Sequence, residues 1–157
     1  MRKITKLALA LLLIAVVGTT ACAQNAPPAA GSRLTSGLVM GGPYNDHGWS
    51  QAAYDGVQYV LAKVPGTKLV YIDKANSSDR PGTTVSQLAE SLVAQGAKLV
   101  IFSSDDFADE ANKFATAHKD VFVIMGSGDA VWKEGKNYHD LPNMVNIMGK
   151  CEYMKMV

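Results

Sequence analysis

From residue 34 onward, short apolar runs alternate with longer amphipathic stretches, and this alternation limits the fold more than any other feature of the chain. Residues 34–40, 68–72, 99–102 and 121–125 are brief and nearly continuously apolar. That length and composition suit strands covered on both faces of a parallel sheet. Between them the spacing predicts helices over 49–64, from Thr83 or Thr84 to Gln95, and over 107–118. In the first helix, Trp49, Ala52, Ala53, Gly56, Val57, Val60, Leu61 and Val64 fall close to i, i+3, i+4, i+7 spacing. Pro65-Gly66 stops it. In the second, Val85, Leu88, Ala89, Leu92 and Val93 face inward and Gly96 ends the run. Residues 144–148 supply a fifth strand, and a further helix begins near Tyr153. Strand–helix alternation of this length implies βαβ units, hence an α/β domain with a doubly wound parallel sheet.

Right-handed crossovers place every strand-to-helix loop on one edge of such a sheet. Four polar loops, 42–50, 73–82, 103–106 and 126–129, are therefore expected side by side, where open α/β sheets bind ligands. The connectors 65–67, 96–98 and 119–120 fall on the opposite edge. Gly42-Pro43-Tyr44-Asn45-Asp46-His47-Gly48-Trp49-Ser50-Gln51 is the richest loop, with an amide, a carboxylate, an imidazole, an indole and a hydroxyl. Trp49 either packs beneath the sheet edge or stacks on a flat ligand. Asn45 and Asp46 either cap the first helix or hydrogen-bond a polar ligand, and one helix N-terminus accommodates both roles. His47 is a solvated loop histidine or a binding group, and Ser50 and Gln51 lie in the first helical turn.

Ser103 and Ser104 directly follow the third strand, placed to hydrogen-bond a ligand. Asp105, Asp106, Asp109 and Glu110 bring negative charge to the N-terminus of the third helix, which its dipole favours, and they lack metal-ligand spacing. Phe107 is a core residue or an aromatic wall. The glycines of Gly126-Ser127-Gly128-Asp129 permit a tight turn or a close ligand approach, and Asp73-Lys74-Ala75-Asn76 is a similar polar stretch. Enzyme signatures are missing: no G-x-G-x-x-G follows the first strand, and there is no phosphate-binding G-x-x-x-x-G-K-[ST] and no G-x-S-x-G. The histidines lack metal-ligand spacing. A binding protein with no catalytic residue, metal or cofactor is expected.

The N-terminus indicates where the chain works. Arg2, Lys3 and Lys6 precede an unbroken apolar run over 7–17. As a helix that run reaches about 17 Å, too short for a hydrocarbon core of about 30 Å, so it is an export signal. Gly18, Thr19, Thr20 and Ala21 lead to Cys22, as at a bacterial lipoprotein cleavage site, with Cys22 then the lipidation residue and 1–22 the signal; ordinary signal cleavage near Ala21 or Ala23 is the other reading. A lipid on Cys22 would hold the protein on the outer side of a bacterial membrane. Residues 23–33 are small, polar and proline-containing, a flexible tether to a domain over 34–157. The net charge of +1 offers no electrostatic case for nucleic acid. After Cys22 only Cys151 remains, so an intrachain disulfide is excluded.

With this signal, tether and opening loop, the chain resembles the basic membrane protein family, the substrate-binding lipoproteins of ABC transporters that include purine nucleoside receptors. Residues 42–56 carry the resemblance: Gly-Pro, then Asn45-Asp46, Gly48-Trp49, Ser50 and Gly56. Residues 98–104, 121–125 and 142–149 extend it. The resemblance implies a type I periplasmic-binding-protein fold, with two lobes closing on a nucleoside or related metabolite, and an ABC transporter permease as partner. By position, Asn45, Asp46, Trp49 and Ser50 would contact ligand, with Trp49 stacking on the base. Ser104 and Asp109 would contribute from the loop after the third strand. Family members are longer, so residues 34–157 are expected to be the N-terminal lobe, with the chain a fragment or truncated product. A membrane-tethered sensory or interaction module of the same fold is the alternative reading.

Overall fold

In a computed structural model, residues 34–135 and 138–147 are described, all within one unit, Ser32–Val157. Cys22, the signal, the tether, Met148, Cys151 and the helix expected near Tyr153 lie outside the described residues. The short apolar runs become β1 (Thr35–Val39), β2 (Lys68–Ile72), β3 (Leu99–Phe102), β4 (Phe122–Gly126) and β5 (Met144–Ile147). They pair in parallel in the order β2-β1-β3-β4-β5, with Val39 opposite both Ile72 and Phe102 and with Phe102 opposite Met125. Three helices link them: α1 (Trp49–Lys63), α2 (Val85–Ala94) and α3 (Ala108–Ala117).

Side chains alternate across a strand, so β1 feeds two cores. Val39 joins the larger one, under α2 and α3, where Leu92, Val100, Phe102, Phe114 and Val123 are fully buried. Phe102 and Phe114 meet edge to face at 5.6 Å, and the His118 ring stacks on Phe114 at 4.5 Å. Leu38 and Met40 point to the other face, where they pack with Val57 of α1.

Local chemistry explains the element ends. Thr84 opens α2 with a capping box: its hydroxyl accepts the Gln87 amide while the Gln87 side chain accepts the Thr84 amide. Glu110 of α3 accepts the Ser86 amide at 3.4 Å and pairs with Lys113 at 2.8 Å. That lysine, then the amide, holds the Glu110 carboxyl below its usual range despite partial burial. Asn143 closes the connection to β5, its amide nitrogen donating to the carbonyls of Ala115, His118 and Val121 at 2.9–3.0 Å.

One expectation needs correction. The third helix does not begin at Phe107. A 3₁₀ turn, Asp105–Phe107, comes first, because the Ser104 hydroxyl accepts the Asp106 amide and tightens the chain before α3 starts. The apolar stripe of α1 is covered unevenly. Val57 is buried, but Trp49 is 62% exposed, Val60 49% and Val64 48%. The helix lies over β1 and β2, so one flank of its stripe has no covering partner among the described residues. That flank (Trp49, Ala52, Val60) and the sheet residues Ile101, Ile124 and Ile147 line an apolar groove of about 600 Å³.

Candidate functional site

Strand order reverses at β1 and β3: from β1 the chain moves one way to β2, then returns past β1 to β3. The loops leaving these two strands diverge, and a crevice opens between them at the carboxyl ends. A cleft of about 630 Å³ lies there, lined among others by Gly42, Asp46, Trp49, Asn76, Ser104 and Asp106. It draws on the loops after β1, β2 and β3, as the topology predicts.

Asp46 organises the first loop. One carboxylate oxygen accepts the amides of Gly48 and Gln51 at 2.8 and 3.0 Å, and the other accepts that of Ser50 at 3.1 Å. These donors, Gln51 foremost, hold the Asp46 carboxyl below its usual range. Asp46 therefore satisfies the first turn of α1 from outside the helix, in the manner of a cap. Ser50 is 3% exposed, and its hydroxyl accepts the Gly42 amide at 3.1 Å. A Cβ on residue 42 would sit 3.0 Å from the Ser50 hydroxyl and 3.2 Å from Asp46, so a larger residue there would make both side chains shift.

The Trp49 indole N–H donates to the Ser103 carbonyl, which ties α1 to the end of β3 across the crevice. The Ser103 hydroxyl donates back to the Val39 carbonyl at 3.1 Å. With its nitrogen fixed, the exposed ring stands as a wall between the polar cleft and the apolar groove. Beside it, Trp49, Ser104, Asp105 and Asp106 surround a smaller recess of about 240 Å³. Asp105 is tied to the next loop, accepting both the amide and the hydroxyl of Ser127.

Of the residues singled out in the sequence as ligand contacts, Asp46, Trp49, Ser50, Ser103 and Ser104 come together at the cleft. Asn45 is exposed on the loop and Asp109 is exposed in the first turn of α3, and neither is among the residues lining it. The ring of Phe107 is buried, so it belongs to the cleft floor and to the core at once. Asn76 and Asp106, read in the sequence as a polar loop residue and as part of the charge at a helix N-terminus, also line the cleft. Asn76 donates to the Gly41 carbonyl at 2.9 Å, and its oxygen accepts the amides of Ser78 and Asp79, so it fastens the β2 loop to the β1 loop.

No family model and no curated protein matches the chain. Among solved structures it is similar to an ABC transporter system solute-binding protein from Conexibacter woesei, with 19% identity and a TM-score of 0.58, over 73% of this chain and 35% of that one. It also matches a transcriptional activator of the comK gene from Bacillus halodurans, with 21% identity and a TM-score of 0.47, over 60% of this chain and 30% of that one. The chain thus spans about a third of the length of these proteins. The first likeness shows the fold: an α/β, doubly wound parallel sheet corresponding to one lobe of a solute-binding protein.

Proposed function

We propose that the protein is an exported solute-binding lipoprotein, anchored through Cys22, that captures a nucleoside or related small molecule for an ABC transporter. The observation that carries this reading is Trp49: an exposed indole, held by the Ser103 carbonyl, at the topological switch point of a parallel sheet. A ring fixed in this way loses little freedom when a flat ligand stacks on it. Hydroxyl, amide and carboxylate groups lie beside it, suited to hydrogen-bonding the polar part of such a ligand. A solute-binding neighbour of the same fold supports capture and delivery. Ser50 and Asp46 act chiefly by holding the loop, while Trp49 and Ser104 meet the solute.

The test is calorimetry with a panel of nucleosides on the protein and on Trp49→Ala. Stacking of a base on an aromatic ring contributes about 1–3 kcal/mol, so the variant is expected to bind more weakly by that amount. Its folding stability is expected to fall by no more than about 1 kcal/mol, the share of one hydrogen bond. Unchanged nucleoside affinity in Trp49→Ala would remove the stacking role.

A further inference from the structure

A cluster of aromatic rings stands apart from the cleft, at the β2 edge of the sheet. Tyr44 of the first loop, Tyr54 of α1 and Tyr71 of β2 meet there with ring centroids 5.3, 5.8 and 5.2 Å apart. None of the three lines the cleft. Their planes are inclined to one another by 53°, 58° and 71°, so no pair hides its faces by stacking. Tyr54 is rooted against the smaller core, while Tyr44 and Tyr71 are each 40% exposed. The Asp73 carboxylate adjoins the cluster and accepts the Tyr44 amide at 3.3 Å. Burial first, then Tyr54, Tyr44 and Asp73, hold the Tyr71 hydroxyl above its usual range.

Ring faces carry partial negative charge, and a cation within about 6 Å of a centroid is attracted to them. A cation about 4 Å above the plane of these three centroids would lie about 5 Å from each. Among the described residues the cation–ring contact is that of Lys63 with Tyr59, so the three clustered rings carry no resident cation. We infer that this tyrosine cluster is a second binding site, and that it takes the trimethylammonium group of a small solute. An ammonium or guanidinium brings several N–H donors that need acceptors. Besides its own hydroxyls the cluster offers one carboxylate, already engaged by the Tyr44 amide. A quaternary ammonium has no donor to satisfy, and its methyl groups suit ring faces. The site is independent of solute capture at Trp49.

The test is an NMR titration of isotope-labelled protein with choline chloride at constant ionic strength, read at the resonances of Tyr44, Tyr54 and Tyr71. The neutral isostere of choline, with a quaternary carbon in place of the nitrogen, is titrated beside it. Saturable shifts are expected with choline, and binding about fivefold weaker with the isostere. Tyr71→Phe is expected to keep choline binding, and Tyr71→Leu to weaken it about threefold. Tyr44→Leu, on the exposed loop, repeats the comparison should Tyr71→Leu disturb the sheet. Phosphatidylcholine vesicles are expected to leave these resonances in place. Absence of saturable shifts overturns the site, and equal binding of choline and its isostere overturns recognition of the charge. Undiminished binding in a folded leucine variant overturns the role of the ring faces. Shifts that centre on the Trp49 indole and vanish in Trp49→Ala move choline to the cleft and overturn a second site. A response to vesicles without one to choline overturns a small solute as the source.

Discussion

Asp46 accepts three main-chain amides, and its chemistry sets a pH dependence. Its carboxyl is held below the usual range in the folded protein, so as pH falls the unfolded chain takes up the proton first. The stabilising contribution is whole above the unfolded value of about 3.9 and is lost as pH drops through the lower folded value. Asp46→Asn is therefore expected to lower the urea midpoint at pH 7 and to make the acid limb of the stability profile shallower, read by urea denaturation at a series of pH values. A steeper limb in the variant would contradict this role. Asp46 and Trp49 were legible in the sequence because a polar loop running into a helix gives each residue type a short list of roles. Which role applies was not legible. Trp49 is exposed because its indole N–H reaches Ser103, a residue adjacent only through the pairing of β1 with β3. For the same reason no spacing in the sequence links Asn76 or Asp106 to residue 50.

At the level of elements, the two faces of the sheet respond differently to truncation. Leu92 of α2 is fully buried, and its side chain approaches within 3.1 Å of where a Cβ on Gly37 would stand. Leu92→Ala leaves a cavity in a close-packed region and is expected to cost about 2–5 kcal/mol. Val60 of α1 belongs to an equally regular apolar stripe but is 49% exposed beside the groove, so Val60→Ala is expected to stay within about 0.5 kcal/mol. Chemical denaturation of both variants checks the contrast, and equal losses would mean that the groove flank is packed. Periodicity shows which residues share a stripe and says nothing of how far a neighbour covers it, which is why the spacing could not choose between the two roles open to Trp49. The element ends were clearer where side-chain chemistry marks them: Thr84 and Gln87, three residues apart, announce a capping box. The 3₁₀ turn before α3 had no such mark, since Ser104 bonding to Asp106 imitates an ordinary helix cap.

For the molecule as a whole, the alternation of runs was sufficient to indicate a parallel α/β sheet, because buried parallel strands need apolar residues at successive positions. Strand order was not legible, as right-handed crossovers allow more than one path across the sheet. The observed order places β1 and β3 in the interior, with β2 and β5 at the edges. Hydrogen exchange is expected to follow that order: amides of residues 36–39 and 100–102 slowest, those of 144–147 fastest among the strands. Mass-spectrometric or NMR exchange at neutral pH reads this directly, and a β5 as slow as β3 would imply a further partner on that edge. The same order carries a consequence in time. β1 pairs on one side with β2, which follows closely, and on the other with β3, roughly 60 residues later; at a synthesis rate of about 5–20 residues per second the gap is on the order of 3–12 s. Throughout that interval one side of β1 lacks its neighbour, so a chain emerging from the ribosome passes through a stage in which a strand destined for the interior is an edge, the form in which strands most readily join the wrong partner.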